Sequence, residues 1–172
     1  MKKFWTAEKI VSISAILISL GTFASIVYQN QLIQKQQSAT VLPYLEIWNS
    51  QSFDRYSLIL MNNGIGPAFI REIRMIYKDS TYHGDPWFMF EQLDPPDSIW
   101  NPVYYSNVGE GRLIPAGKTV EMIGVSKNKA AAEYLSRRFG DDDVIRLEVE
   151  YENVYGDRWL VSGFAEEPKL ID

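Results

Sequence analysis

The sequence predicts a mainly β protein, an antiparallel sandwich or a small β-barrel with one short helix, preceded by an N-terminal transmembrane α-helix. Three observations carry this. Residues 10–28 contain no charge, and at about 1.5 Å per residue some 20 apolar residues cross the ~30 Å hydrocarbon layer of a bilayer. Further on the apolar period becomes two: Ile145, Leu147, Val149 and Tyr151 alternate with Arg146, Glu148 and Glu150, the pattern of a half-buried antiparallel strand. Between such runs stand turn signals, Asn62-Asn63-Gly64, Gly66-Pro67, Pro115-Ala116-Gly117 and Tyr155-Gly156-Asp157.

Residues 1–9 form a basic tail. Lys2, Lys3 and Lys9 precede the span, whereas the first 25 residues after it hold only Lys35. That bias favours an N-terminus in the cytoplasm and a single pass through the cell (inner) membrane. Phe4 and Trp5 before the span and Tyr28 after it suit the two lipid–water interfaces. A cleaved signal peptide is the competing reading, because Thr22-Phe23-Ala24 imitates a small-x-small site. Against it, the apolar run passes through that site into Ile26, Val27 and Tyr28. Within the span, residues 10–28, Ser12, Ala15, Ser19 and Thr22 recur at spacings of three and four and give one small, weakly polar side. In lipid such a side lets helices approach and hydrogen-bond, so a homo-oligomer is expected. The alternative is that the hydroxyls bond back to their own helix.

Residues 29–41 are Gln-rich and contain nothing that breaks a helix before Pro43, so a helical stalk is expected, with a short polar coiled coil as its runner-up role. Residues 42–172 form the soluble β domain. There Leu58 and Leu60 alternate with Ser57. Phe69, Ile73, Met75 and Tyr77 oppose Arg71, Glu72, Arg74 and Lys78, with one imperfect step near Glu72. Residues 126–138, rich in alanine and followed by Gly140, predict one short helix with a glycine C-cap, covering an end of the sandwich. Residues 82–105 read as a long structured insertion with Tyr82, Trp87, Phe88, Phe90, Trp100, Tyr104 and Tyr105 among four prolines.

The first 40 residues carry four lysines against one glutamate, so the remainder holds 13 basic and 21 acidic groups, a formal charge of −8. Such a surface repels a phosphate backbone, and duplex nucleic acid is not an expected partner. With no cysteine, disulfides, thiolate zinc sites and a thiol nucleophile are excluded. His83 is the lone histidine and has no Gly-x-Ser-x-Gly turn or second histidine to support a triad or a metal site. Glu148 and Glu150, with Arg146 beside them, read as exposed strand surface rather than an acid–base pair. Asp141, Asp142 and Asp143 read as a solvated loop rather than a calcium site. Residues 62–68 read as a turn needing positive φ at Gly64 or Gly66, rather than an anion-binding nest. No enzyme, metal or cofactor is expected. Trp87, Phe88, Phe90, Trp100 and Tyr104 are the candidate partner or ligand surface, their alternative role being to fill the core beneath a loop. Base stacking there would need Arg71, Arg74 or Lys78 at the phosphates.

The basic N-terminus, the span, the Gln-rich spacer into Leu42-Pro43-Tyr44-Leu45 and the run Leu58-x-Leu60-x-Asn62-x-Gly64-x-Gly66-Pro67-Ala68-x-Ile70 resemble a group of bacterial membrane-anchored β-sandwich proteins. Ile114-Pro115-Ala116-Gly117 and the stretch from Glu150-Tyr151 to Tyr155-Gly156 resemble that group's later strands. The resemblance implies an immunoglobulin-like fold. In architecture alone, a short membrane segment joined to a small β domain is similar to the membrane effectors of antiphage defence systems, whose soluble part senses a signal and whose assembled spans open a pore. The expected partners are therefore lipid, further copies of the chain, and a small-molecule or nucleotide signal or a protein. The alternative function is a tethered extracytoplasmic binding or scaffold domain.

Overall fold

A computed structural model describes residues 6–100 and 102–171, so Lys2, Lys3, Phe4 and Trp5 of the expected basic tail and interfacial belt lie outside the described residues. The chain divides into two compact units, Met1–Ala39 and Thr40–Asp172.

The described part of the first unit is dominated by one helix. Ala7–Thr40, here α1, runs unbroken for 34 residues with none of them buried, a length of about 51 Å at 1.5 Å per residue. It is long and apolar enough to cross a membrane. It continues through the Gln-rich stretch because unbranched side chains propagate a helix, and it stops just before Pro43, whose ring excludes the α conformation from the residue ahead of it. The hydroxyls of Ser12 and Thr22 donate to the carbonyls of Glu8 and Ile18, each at 2.9 Å. Their donors are thus used within the helix, and their lone pairs stay open.

The second unit is built on two antiparallel sheets. The first has the order β1 (Leu45–Ser52), β2 (Arg55–Asn62), β7 (Thr119–Val125), β5 (Val103–Tyr105). The second has the order β10 (Lys169–Leu170), β9 (Arg158–Ser162), β8 (Ile145–Glu152), β3 (Ala68–Tyr77), β4 (Ser80–His83), with β6 (Leu113–Ile114) paired to the start of β3. Facing side chains from both sheets form one core that includes Leu45, Leu58, Leu60, Ile70, Met75, Met122, Val149 and Tyr151. The Tyr151 hydroxyl ties the sheets together by accepting from the Leu45 N–H at 3.2 Å.

Where a sheet buries one face, the period of two holds: in β8, Ile145, Leu147, Val149 and Tyr151 are buried. It fails in β2, where Tyr56 to Leu60 are all buried, so the alternation of Leu58 and Leu60 with Ser57 marks direction but not exposure. The imperfect step near Glu72 is a bulge between Ile70 and Glu72. The bulge changes the phase of β3, so that Ile70 rather than Phe69 joins Ile73 and Met75 in the core.

Among the described residues three helices stand in this unit, where one was expected. The expected one is α4, Lys129–Phe139, started by Asn128, whose side chain accepts from the Ala131 N–H at 2.9 Å. Gly140 does close it, but at φ −93 rather than in the left-handed region. A Cβ there would come within 2.3 Å of the Ser136 carbonyl oxygen. Contacts of α4 with β1, β2, β7 and β8 place it across one end of both sheets. The other two, α2 (Pro86–Gln92) and α3 (Asp97–Trp100), lie inside the aromatic insertion.

Residues 62–68 cross from one sheet to the other, and neither Gly64 nor Gly66 has positive φ. Crowding requires these glycines instead. A Cβ on Gly66 would stand 1.9 Å from the Val41 carbonyl oxygen, and one on Gly64 would stand 2.4 Å from that of Leu42. Asn62, fully buried, organises this crossing. Its amide donates to the carbonyls of Gly66 at 2.8 Å and Ile114 at 3.0 Å, and its oxygen accepts from the N–H groups of Gly64 at 3.0 Å and Tyr44 at 3.2 Å.

Candidate binding surface

The insertion starts on an edge of the second sheet and ends on an edge of the first, as β4 and β5. Local chemistry shapes it. Asp85 caps α2 by accepting from the Phe88 N–H at 3.0 Å, and Pro86 occupies the first turn, where no intrahelical donor is needed. The second Asp85 oxygen accepts from the Val108 N–H at 3.3 Å and so pins the following loop.

The five expected surface aromatics separate into four environments. Phe90 belongs to the core, 0% exposed, and is no part of any surface. Its ring meets Trp100 edge-on at 5.0 Å and Tyr134 of α4 at 6.3 Å. Trp87 and Trp100 are half-buried against that core and meet each other edge-on at 5.4 Å. Trp87 also stacks on Tyr105, with centroids 4.0 Å apart and planes at 12°. Phe88 is exposed on α2. Tyr104 sits elsewhere: successive strand residues point to opposite faces, so it lies opposite Tyr105, across Gly124, with its hydroxyl 3.4 Å from Ser57 Oγ. Burial raises the Tyr104 pKa, the Glu121 carboxylate adds to the rise, and the Ser57 hydrogen bond works against it. Tyr105 and Tyr134 complete the ring cluster. Tyr105 is visible in the sequence as part of the insertion, but Tyr134 comes from a helix remote in sequence, and nothing local signals it.

Beside the cluster, α3 and α4 enclose an open groove of about 500 Å³ lined by Pro96, Ile99, Glu133, Tyr134, Arg137 and Arg138. Its floor is apolar and its rim is charged. Arg138 lies 5.7 Å over the Tyr134 ring and donates to the Tyr77 hydroxyl at 3.3 Å. Its size suits a small ligand or a peptide side chain.

The outer face of the second sheet is an ion-pair lattice. Glu148 and Glu150 pair with Arg74 and Arg158, not with their strand neighbour Arg146: Arg74 reaches Glu148 at 3.2 Å and Glu72 at 2.8 Å, and Arg158 reaches Glu150 at 3.6 Å. Arg71 holds Glu152 at 2.5 Å, and His83 Nδ1 is 2.6 Å from Glu72. A shallow recess of about 370 Å³ opens among Arg71, Glu72, Glu110, Glu150 and Arg158. Arg71 and Arg74 are thus already neutralised, and Lys78 leans over the Tyr77 ring at 5.0 Å. None of the three is placed to serve phosphates beside the aromatic cluster.

The three aspartates are not equivalent. Asp141 accepts from the Asp143 N–H at 2.9 Å, while one Asp142 oxygen accepts from the Phe164 N–H at 2.7 Å and the other is buried without a hydrogen bond. Burial raises the Asp142 pKa, partly offset by the Phe164 bond. Among the described residues no group of three or more acidic or histidine side chains is arranged to hold a metal. No protein family, curated protein or solved structure matches the chain.

Proposed function

We infer that this chain is a single-span membrane protein without enzymatic activity, whose β domain, an immunoglobulin-like sandwich, binds a signal or partner. Copies associate through the small-residue side of the span at Ser12, Ala15, Ser19 and Thr22, and binding gates a pore in the manner of antiphage membrane effectors. One observation carries this reading: the uncharged stretch 10–28 of α1 leaves its large apolar side chains, from Ile10 to Val27, exposed, and no residue of α1 is buried. An uncharged helical stretch of that length with exposed large apolar side chains is suited to lipid or to other helices as its solvent. The groove beside Tyr134 supplies a ligand-sized concavity, and the carboxylates that acid–base work would use are held by arginines.

Alkaline carbonate washing tests the anchor. The chain is expected to stay in the membrane pellet, and release into the supernatant overturns the reading. Dye influx on expression tests the pore, and an unchanged permeability in the presence of the signal removes that part. The lysines ahead of the span favour a second reading, a tethered extracytoplasmic scaffold. Protease shaving of intact cells separates the two: a digested domain supports the scaffold, and a protected one supports the sensor.

A further inference from the structure

Among the described residues five strands have a neighbour on one side only, and four of them are short: β5, β4, β6 and β10 have three, four, two and two residues. Brevity denies an edge to other chains. The fifth, β1, has eight residues, all paired with β2 and without a bulge. It contains no proline and one charge, Glu46. Of the usual devices that blunt an edge, bulge, proline, lysine and brevity, β1 has none.

The two-residue loop at Phe53 and Asp54 makes Ser52 and Arg55 a hydrogen-bonded pair, so residues 46, 48, 50 and 52 direct their backbone polar groups to β2. Residues 45, 47, 49 and 51 direct theirs to the open edge. The same parity appears at Tyr44, whose carbonyl accepts from the Asn63 N–H at 2.8 Å. Leu45 uses its N–H on Tyr151. Among the described residues, the outward N–H and C=O groups of Ile47, Asn49 and Gln51 find no partner beyond the strand. Trp48, 41% exposed, stands on the open face beside them.

We propose that β1 is a docking edge for a second copy of this chain, pairing antiparallel with the same strand about a twofold axis at Asn49. The two four-stranded sheets then become one. Ile47 pairs with the partner's Gln51 and Asn49 with the partner's Asn49, giving about six backbone hydrogen bonds at two per pair. The strand is complementary to itself about that axis. Glu46 falls opposite a serine, Ser52, and Trp48 falls opposite Ser50, so no like charges meet and the indole gains cover. A second copy is the occupant because tethering to one membrane raises the effective concentration of identical edges. The proposal rests on the membrane assembly above.

The chain has no cysteine, so introduced thiols report without background. Trp48 and the partner's Ser50 form a non-hydrogen-bonded pair, with Cα atoms about 4.5 Å apart and within disulfide reach. The full chain carrying W48C with S50C is oxidised in its membrane, and Gln29→Cys, one heptad beyond Thr22 on the same side of α1, reports helix pairing in a separate chain. Both are expected to give disulfide-linked dimers. Adding Gln51→Pro removes an outward N–H and the bond that Ser136 donates to the Gln51 side chain, and leaves the pairing with β2 intact. It is expected to cut the β1 dimer at least tenfold, to leave the Gln29→Cys dimer unchanged, and to leave the thermal midpoint within a few degrees. A Gln29→Cys dimer without a β1 dimer overturns edge pairing and spares the assembly reading. Loss of both overturns both. A β1 dimer that ignores Gln51→Pro also overturns edge pairing.

Discussion

Asn62 offers the most direct test of how the β domain is held together. Replacing it by alanine removes four hydrogen bonds in a fully buried place and leaves the carbonyls of Gly66 and Ile114 and the N–H groups of Tyr44 and Gly64 without their partner. At roughly 1 kcal/mol net for each, the loss is about 3–4 kcal/mol, a large share of the 5–15 kcal/mol that ordinarily separates folded from unfolded domains. Residues 40–172 contain the whole core and form a compact unit, so urea unfolding of that fragment, followed by tryptophan fluorescence, is a fair assay. With a slope of about 1.5 kcal/mol per molar urea, the midpoint falls by about 2 M while the slope stays constant. Asn62→Asp has the same shape but sets a carboxylate against two carbonyls. It is expected to cost at least as much at neutral pH, with partial recovery in acid as the carboxyl gains a proton to donate. A loss below about 1 kcal/mol for Asn62→Ala would refute the assignment of Asn62 as the residue that joins the sheet crossing to the start of β1.

Three further outcomes follow from the geometry. Gly124→Ala places a Cβ 2.8 Å from the Tyr104 ring and is expected to cost about 1–3 kcal/mol by overpacking. Once displaced, Tyr104 should titrate nearer its ordinary range in an ultraviolet titration, and an unchanged titration would count against the contact. Asn128→Ala removes the α4 cap and is expected to lower stability by about 1 kcal/mol in the same urea assay. Asp142 has a folded pKa above its ordinary value of 3.8, so the folded state binds more protons and the stabilisation from this group, full below that value, is lost as pH rises through the raised pKa. Asp142→Asn should therefore gain on the wild type between acid and neutral pH, and a difference constant with pH would contradict the burial of that carboxyl.

What the sequence disclosed depended on how many faces each element buries. β8 was legible because water lies on one side of it, so Arg146, Glu148 and Glu150 alternate cleanly with apolar residues. β2 is covered on both sides and its alternation carries no such information. The bulge at Arg71 appeared as an irregular step, but its effect, the exchange of Phe69 for Ile70 as the core residue, depends on pairing with β8. Asp85 followed by Pro86 is a helix-start signal, and it was masked by the proline density around it. Gly64 and Gly66 were legible as necessary but not for the right reason, since the backbone that crowds them lies some twenty residues earlier. The candidate surface was half legible: a dense run of aromatics shows in any reading, yet which rings face inward depends on Tyr134 and Gly124, brought in from other elements.

The aromatic insertion begins as the border of one sheet and finishes as the border of the other. Sliding of either layer past its neighbour would have to drag the Trp87, Phe90 and Trp100 ring cluster with it. A molecule wedged beside Tyr134 would therefore push on both layers at once, through rings that already touch. Occupancy at one flank would then change the spacing of the whole module rather than the shape of a single loop.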